Sequence, residues 1–276
     1  MYPIVYLNGD YVAKENAVLN VADLSILRGY GVFDYFRYAD GKPRFLKDHT
    51  DRFFRSAASL GLPVPIAEVE LGEVVRSLIE RNGEPSGGIR FVLTGGYSAN
   101  GYTPGQPNLV GMAYPFTEPD AELYERGVTV HLHPYERQLP GTKTIDYLEG
   151  IRIQPDLAAR GADYALYVDR DGFVRESDRS NFMIVQDGVL ITPEKDILLG
   201  ITRMHLLRLA AELEIPVAVR AVSQQELLAA EEAIICSSTK GAMPITQVDD
   251  RVIGDGRPGA VTQRLMGAWA EYCARQ

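Results

Sequence analysis

Cysteine is scarce: Cys236 and Cys273 are the only two in 276 residues, and their spacing suits neither a metal site nor a disulfide framework. Two reduced thiols in a cytoplasmic protein are the expectation. Positive charge is in deficit, with 28 basic against 37 acidic side chains and a net charge of −9. A chain this acidic has no electrostatic case for gripping nucleic acid or an anionic membrane. Any anion it binds must be held by a local cluster of positive groups. Long apolar runs are absent, none approaching the roughly 20 residues that span a bilayer. The opening Met1-Tyr2-Pro3-Ile4-Val5-Tyr6 has no basic region leading into an apolar core, so no secretory signal is expected. The phosphate-cradling Gly-x-x-x-x-Gly-Lys-Ser/Thr, the His-Glu-x-x-His pair and the Gly-x-Ser-x-Gly elbow are all missing. His131 and His133 alternate on an expected strand, but without a third ligand the pair reads as packing, and no metal is expected.

What is present reads as an α+β chain of two domains. Asn8-Gly9 sits between Ile4–Leu7 and Tyr11-Val12 as a hairpin turn, because both residues tolerate positive φ. Val32–Tyr38 reads as a strand ending at Asp40-Gly41. A helix is expected from Asp48, as N-cap, to Leu60, with Gly61 as its stop and Phe53, Ala57 and Leu60 on one buried face. A second helix covers Glu68–Arg81, and strands cover Ile89–Thr94 and Leu109–Tyr114. The Pro-rich stretch from Tyr114 to Asp120 marks the boundary, giving a domain at 1–115, a linker at 116–121 and a domain at 122–276. Later strands are expected at 128–132, 165–168, 173–175, 182–185 and 189–191. Helices are expected at 147–160, where Pro155 should kink or split the element, at 202–213, at 223–230 and from Gly259 onward. Ser223 and Glu226 form a capping box.

The chemistry-bearing stretches begin with Leu139-Pro140-Gly141-Thr142-Lys143, a lysine in a Pro/Gly-bounded turn before a helix. Glu176 ends a hairpin arm and is followed by Ser177-Asp178-Arg179-Ser180-Asn181-Phe182. Gly200-Ile201-Thr202-Arg203 opens a helix, whose free N–H groups and positive dipole end suit a phosphate. Ser237-Ser238-Thr239 follows an apolar strand as a second phosphate cradle. Together with Arg28-Gly29-Tyr30-Gly31-Val32-Phe33-Asp34 and His49-Thr50-Asp51-Arg52-Phe53, these pieces occur in an order that resembles the class IV aminotransferases. That family comprises the fold-type IV pyridoxal-phosphate enzymes, and the resemblance spans nearly the whole chain.

The resemblance implies a smaller N-terminal α/β sandwich domain and a larger C-terminal pseudo-barrel domain that binds pyridoxal 5'-phosphate. It implies that Lys143 forms the Schiff base and shuttles the substrate proton. A lysine can lose its charge near neutral pH when buried beside a cationic cofactor. Glu176 would face the pyridine nitrogen, so that the ring acts as an electron sink. Arg52 would pair with the phosphate, aided by Ile201 and Thr202 and by Ser237, Ser238 or Thr239. Leu198 would pack on the ring face, and Tyr147 would hydrogen-bond near the phenolic oxygen. By resemblance the partners are an amino acid, a 2-oxo acid and a second copy of the chain in a homodimer with shared active sites.

Substrate choice follows from departures. Asn100-Gly101-Tyr102 stands where typical bacterial D-amino-acid transaminases have an Arg-x-His carboxylate trap. Thr144-Ile145 replaces the Gly-Gly of branched-chain enzymes, and Asp34-Tyr35 the threonines of aminodeoxychorismate lyase. Phe33 lies in the expected substrate pocket. Arg28, Arg90 and Arg179 are expected to replace the trap, because a guanidinium grips a carboxylate bidentately. Pairing with Asp34 or Asp178 is the alternative for some of them. A D-amino-acid transaminase leads; a branched-chain L-amino-acid or R-amine transaminase comes second, and a lyase third.

Overall fold

The structure, a computed structural model, describes residues 1–275. Gln276, at the end of the expected C-terminal domain, lies outside the described residues. By its contacts the chain divides into two compact units. One holds Met1–Thr117 with Thr142–Asp146, the other Glu118–Gly141 with Tyr147–Arg275.

The first unit contains β1 (Ile4–Leu7), β2 (Asp10–Ala13), α1 (Leu24–Arg28), β3 (Gly31–Ala39), β4 (Lys42–Pro43), α2 (Leu46–Ser59), α3 (Glu68–Asn82), β5 (Gly87–Thr94) and β6 (Leu109–Tyr114). Asn8 and Gly9 both take positive φ, 50° and 107°, as a two-residue hairpin loop between right-twisted strands requires. The strands form an antiparallel sheet in the order β2-β1-β6-β5-β3-β4. Along β3 the period of two buries Val32, Asp34, Phe36 and Tyr38, and turns Phe33, Tyr35 and Arg37 to the other face. The buried side packs on α2 and α3 through Phe53, Leu71, Val75 and Leu78, whose spacing makes one apolar helix face.

Asp48 does not cap α2. The cap position is Phe45, at φ 52°, and Asp48 lies in the first turn. Leu46 packs against the first core, which draws the start of the helix upstream. Asp48 still places its charge at the positive end of the dipole. Leu60 closes the helix, half-buried and packed at the edge of that core.

The second unit contains α4 (Ala121–Arg126), β7 (Val128–Pro134), α5 (Leu148–Arg152), α6 (Gln154–Arg160), β8 (Tyr164–Val168), β9 (Phe173–Ser177), β10 (Asn181–Gln186), β11 (Val189–Thr192), α7 (Ile201–Glu212), β12 (Val217–Val219), β13 (Val222–Ser223), α8 (Gln224–Leu228), β14 (Glu232–Ser237), β15 (Gly241–Val248), β16 (Arg251–Val252) and α9 (Ala260–Ala274). One sheet runs β12-β11-β10-β14-β15-β7-β8-β9-β13, with β16 beside β15. β7 is parallel to both its neighbours, and apolar side chains cover both sheet faces. Phe182 and Ile184 of β10 enter one core with Ile235 and Met243. Met183 and Val185 enter the other, beneath Leu206 and Leu209 of α7 and Leu265 of α9.

Pro155 splits the expected 147–160 helix into α5 and α6, and occupies the first turn of α6, where its missing N–H costs nothing. The capping box forms, with Ser223 as the cap rather than a helical residue. The short elements α1 and α4 go beyond the sequence expectation, as does β15. No helix among the described residues is long and apolar enough to cross a membrane.

Replacing Leu78, fully buried in the first core, by alanine is expected to cost about 2–5 kcal/mol in a denaturant titration. Val69→Ala, on the exposed side of the same helix, should stay within about 0.5 kcal/mol of the parent.

Candidate active site

Lys143 is held by backbone bonds within the first unit. Its carbonyl accepts from the Phe33 N–H at 2.9 Å, and its own N–H donates to Ser56 Oγ at 3.2 Å. Ile145 N–H donates to the Gly31 carbonyl, and Thr144 bridges Val32, so the segment runs antiparallel to the start of β3. A few residues in an extended stretch thereby acquire the register of a strand. Thr142 shares a 2.8 Å hydrogen bond with Ser59 of α2. The half-buried lysine sets its Nζ 4.5 Å from the centre of the Phe33 ring.

Arg52 of α2 is buried with Asp34 of β3. Arg52 Nε donates to Asp34 Oδ2 at 2.8 Å and Nη2 to Oδ1 at 2.7 Å, while His49 Nδ1 lies 2.8 Å from Oδ1. The α2 spacing of three puts His49 and Arg52 on one face, and the β3 alternation puts Asp34 beneath them. Burial pushes the Asp34 carboxyl up, but the Arg52 guanidinium and His49 outweigh it and hold the group far below the usual range. Burial pulls His49 down against the attraction of Asp34, and the charges of Arg52 and Lys143 add to that fall.

Arg28, ending α1, is exposed and donates to the Leu27 carbonyl at 2.8 Å. Arg90 of β5 is exposed, with its guanidinium 5.3 Å from the Phe33 ring centre, 5.7 Å from Tyr114 and 5.9 Å from Tyr35. Neither has an ion-pair partner among the described residues, and Asp34 is taken by Arg52.

In the second unit Glu176 is buried near the end of β9. Oε1 accepts from Arg137 Nη1 at 2.8 Å; Oε2 accepts from the Leu198 N–H at 3.0 Å and from Asn181 Nδ2 at 3.4 Å. Asn181 also donates to the Leu198 carbonyl at 2.7 Å, so backbone and amide together fix the loop at Leu198. Gly200 caps α7, and a Cβ there would stand 2.0 Å from Asn181 Oδ1. Only glycine permits that approach. Beyond it, Ile201 and Thr202 begin the helix, both buried. Ser237, Ser238 and Thr239 form the turn from β14 towards β15, half-buried, with Ser237 and Thr239 hydroxyls 3.1 Å apart. Tyr147 is the half-buried residue before α5.

Arg179 is more than half exposed and pairs with buried Asp178 at 2.9 Å. The alternative of a carboxylate neighbour thus holds for Arg179, through one nitrogen. Lys240 is buried nearby, with its Nζ 3.2 Å from Ser180 Oγ and 4.4 Å from the centre of the Tyr164 ring. Burial lowers it to about 8. His131 and His133 are occupied by Asp249 and Glu149, and among the described residues no cluster suits a metal ion.

The family model for amino-transferase class IV matches residues 31–248. The chain belongs to the class IV aminotransferases. It is 33% identical over 268 residues to a Methanocaldococcus jannaschii protein that carries a provisional branched-chain-amino-acid aminotransferase name, covering 95% of this chain and 93% of the relative. It is 30% identical over 275 residues to the D-alanine aminotransferase of Staphylococcus epidermidis, covering 97% of each. A branched-chain amino acid aminotransferase from T.th., solved with pyridoxamine 5'-phosphate, superposes with a TM-score of 0.93 at 28% identity, covering all of this chain and 96% of that one. These matches confirm the fold-type IV architecture.

The cofactor of this family is pyridoxal 5'-phosphate, and the donor set of each unit fits it. The first unit supplies an amine, Lys143, and a guanidinium, Arg52. The second supplies a buried carboxylate, Glu176, with a helix start and three hydroxyls suited to phosphate. Sequence reasoning missed Asp34 as the partner that anchors Arg52, although the motif around it was visible. It missed Arg137, which belongs to no motif, and gave no role to Lys240, which directly follows Ser237-Ser238-Thr239.

Asp34→Asn strands Arg52 as a buried charge and is expected to cost about 3–5 kcal/mol of stability. Asp34 and His49 are both more acidic in the folded chain than in the unfolded one. Their stabilisation is complete above about pH 6.5 and is lost as pH falls, first through His49 and then, below about pH 4, through Asp34. Below about pH 4 urea midpoints should fall less steeply for Asp34→Asn than for the parent, whereas between about pH 6.5 and 4 the variant, whose His49 has lost the attraction of Asp34, should fall at least as steeply.

Proposed function

We propose that the chain moves the amino group of a D-amino acid, of the D-alanine or D-glutamate type, to a 2-oxo acid such as 2-oxoglutarate. The order is ping-pong, and Lys143 is the catalytic amine. Bound pyridoxal phosphate supplies the carbonyl that takes the amino group and the ring that withdraws electrons from the substrate Cα. Lys143 would hold the cofactor through Nζ and, once the donor amine has displaced it, would serve as the base that takes the Cα proton and the acid that returns it. Glu176 faces the ring nitrogen. Arg52 holds the phosphate with the N–H groups of Ile201 and Thr202 and the hydroxyls of Ser237 and Ser238. Leu198 would pack on the ring, and Tyr147 would hydrogen-bond near its phenolic oxygen.

Arg28, Arg90 and Arg179 take the substrate carboxylates, with Phe33 as a wall of the pocket. The observation that carries this reading is that Arg90 and Lys143 lie over the same Phe33 ring, at 5.3 and 4.5 Å from its centre. A guanidinium without a carboxylate partner among the described residues, framed by three rings and sharing one with Lys143, suits an acid substrate. A second reading, a branched-chain L-amino-acid transaminase, is favoured by the branched-chain relatives, which are as similar as the D-alanine enzymes. The working unit in this proposal is a cytoplasmic homodimer with shared sites. Exposed Val18, Val21 and Ile26, close to Arg28 along the chain, support such a contact.

A panel of amino donors with 2-oxoglutarate or pyruvate as acceptor decides between the readings. The yellow protein should bleach with D-alanine and not with L-leucine; the opposite result removes the D-amino-acid reading. Arg90→Ala and Arg179→Ala are each expected to raise the KM for 2-oxoglutarate by about tenfold or more, leaving kcat less affected. An unchanged KM would take these arginines out of the pocket.

A further inference from the structure

Arg137 has no place in the machinery assigned above, yet its guanidinium makes one of the shortest polar contacts to Glu176. It lies between β7 and the turn at Pro140-Gly141, its side chain mostly buried at 18% exposure. One nitrogen, Nη1, donates to Glu176 Oε1 at 2.8 Å and to the Pro140 carbonyl at 3.0 Å. The second oxygen of Glu176 is held from another direction by the Leu198 N–H and Asn181. The carboxylate is therefore fixed in orientation at both oxygens, and of these three partners Arg137 is the charged one.

We infer that Arg137 is a positioning residue for the ring-nitrogen partner: it orients Glu176 and sets which side of the Glu176–pyridine hydrogen bond keeps the proton. The inference rests on the proposed role of Glu176. A carboxylate facing a pyridine nitrogen shares one proton with it, and the ring withdraws electrons well only when the nitrogen keeps that proton. A buried carboxylate without a cation gains proton affinity from desolvation and would draw the proton to itself. A guanidinium in direct hydrogen bond with the carboxylate opposes this and acts more strongly on the group it touches than on the ring beyond it. Arg137 thus stands behind the carboxylate as Glu176 stands behind the ring. Its bond to the Pro140 carbonyl ties the same nitrogen to the turn that leads, in sequence, to Lys143.

The test uses holoenzyme of Arg137→Met, Arg137→Gln, Arg137→Lys, Glu176→Gln and the Arg137→Met/Glu176→Gln pair. Two quantities are read: the pH midpoint of the cofactor's visible absorption band, and the bleaching rate at saturating donor. Arg137→Met is expected to slow bleaching by about tenfold with donor KM within about twofold of the parent. Loss of the positive charge should also move the midpoint to higher pH by about half a unit or more. Arg137→Lys, which keeps the charge, should restore the midpoint, whereas Arg137→Gln should not. Adding Arg137→Met to Glu176→Gln should change neither quantity by more than about twofold, because the two act as one unit. If Arg137→Met does not fold, the Gln and Lys variants carry the comparison. A parental midpoint and rate in the charge-removing variants, with only a lower Tm, would reduce Arg137 to a prop and overturn the inference. Full additivity in the double variant would overturn it as well. A parental Glu176→Gln would instead strike the assignment of Glu176 itself.

Discussion

Asp34 lies fully out of water beneath Arg52 and His49, and the first unit's share of the site is built around the need to satisfy that carboxylate. The β3 alternation sends Asp34 into the interior with Val32 and Phe36. It can remain ionised there because Arg52 supplies two parallel N–H donors, with His49 and the Tyr35 N–H as further contacts. The same alternation turns Phe33 to the other face, where Lys143 and Arg90 meet its ring. One strand thus separates the buried Asp34–Arg52 pair on one face from the Lys143 amine on the other. The Lys143 carbonyl and the Ile145 N–H are bonded to that strand while the Lys143 N–H donates to Ser56 of α2, so the position of the amine depends on the strand holding its register.

The second unit repeats the device with other residues. Glu176 is buried as Asp34 is, and Arg137 balances it as Arg52 balances Asp34. Both arginines are mostly buried, and each carries a hydrogen bond to its carboxylate. Arg28, Arg90 and Arg179 are exposed by contrast, and of these three only Arg179 has an acidic partner among the described residues. That division separates arginines held against a buried carboxylate from arginines that stand exposed. It is a distinction of burial and pairing, which side-chain type alone does not reveal.

This explains where the sequence was legible. Asn8-Gly9, Gly83 and the Ser223–Glu226 box are local devices, and local chemistry determines them whatever surrounds them. Pro155 broke its helix for the same reason. The start of α2 was misplaced because Leu46 packing, a tertiary effect, outweighed the capping preference of Asp48. Lys143, Arg52 and Glu176 stood out because they fall in stretches whose order resembles that of the class IV aminotransferases, the family to which the chain belongs. Arg137 and Lys240 stayed hidden because a buried cation is identified by what surrounds it, and their neighbours come from distant strands. Nor could spacing show that 142–146 contacts β3, since an isolated five-residue extended stretch has no period to read.

Chemistry and specificity also draw on different kinds of constraint. Holding a phosphate, a ring nitrogen and a lysine requires a fixed donor set, and any class IV aminotransferase must supply one. Choosing between D-alanine and L-leucine requires only that a pocket favour a carboxylate or an apolar branch on one side of the same Cα. A few kcal/mol from one guanidinium is enough for that, and a desolvated arginine left facing an apolar substrate adds a penalty against the wrong one. Relatives of both specificities can therefore stand at similar identity to this chain, because overall identity weighs hundreds of positions equally and the pocket uses a handful. The aromatic frame of Arg90 bears on the question more directly. Phe33, Tyr35 and Tyr114 hold its guanidinium through weak, orientation-tolerant contacts. Such a frame leaves the planar N–H edge free to meet a carboxylate, which a salt bridge within the protein would not.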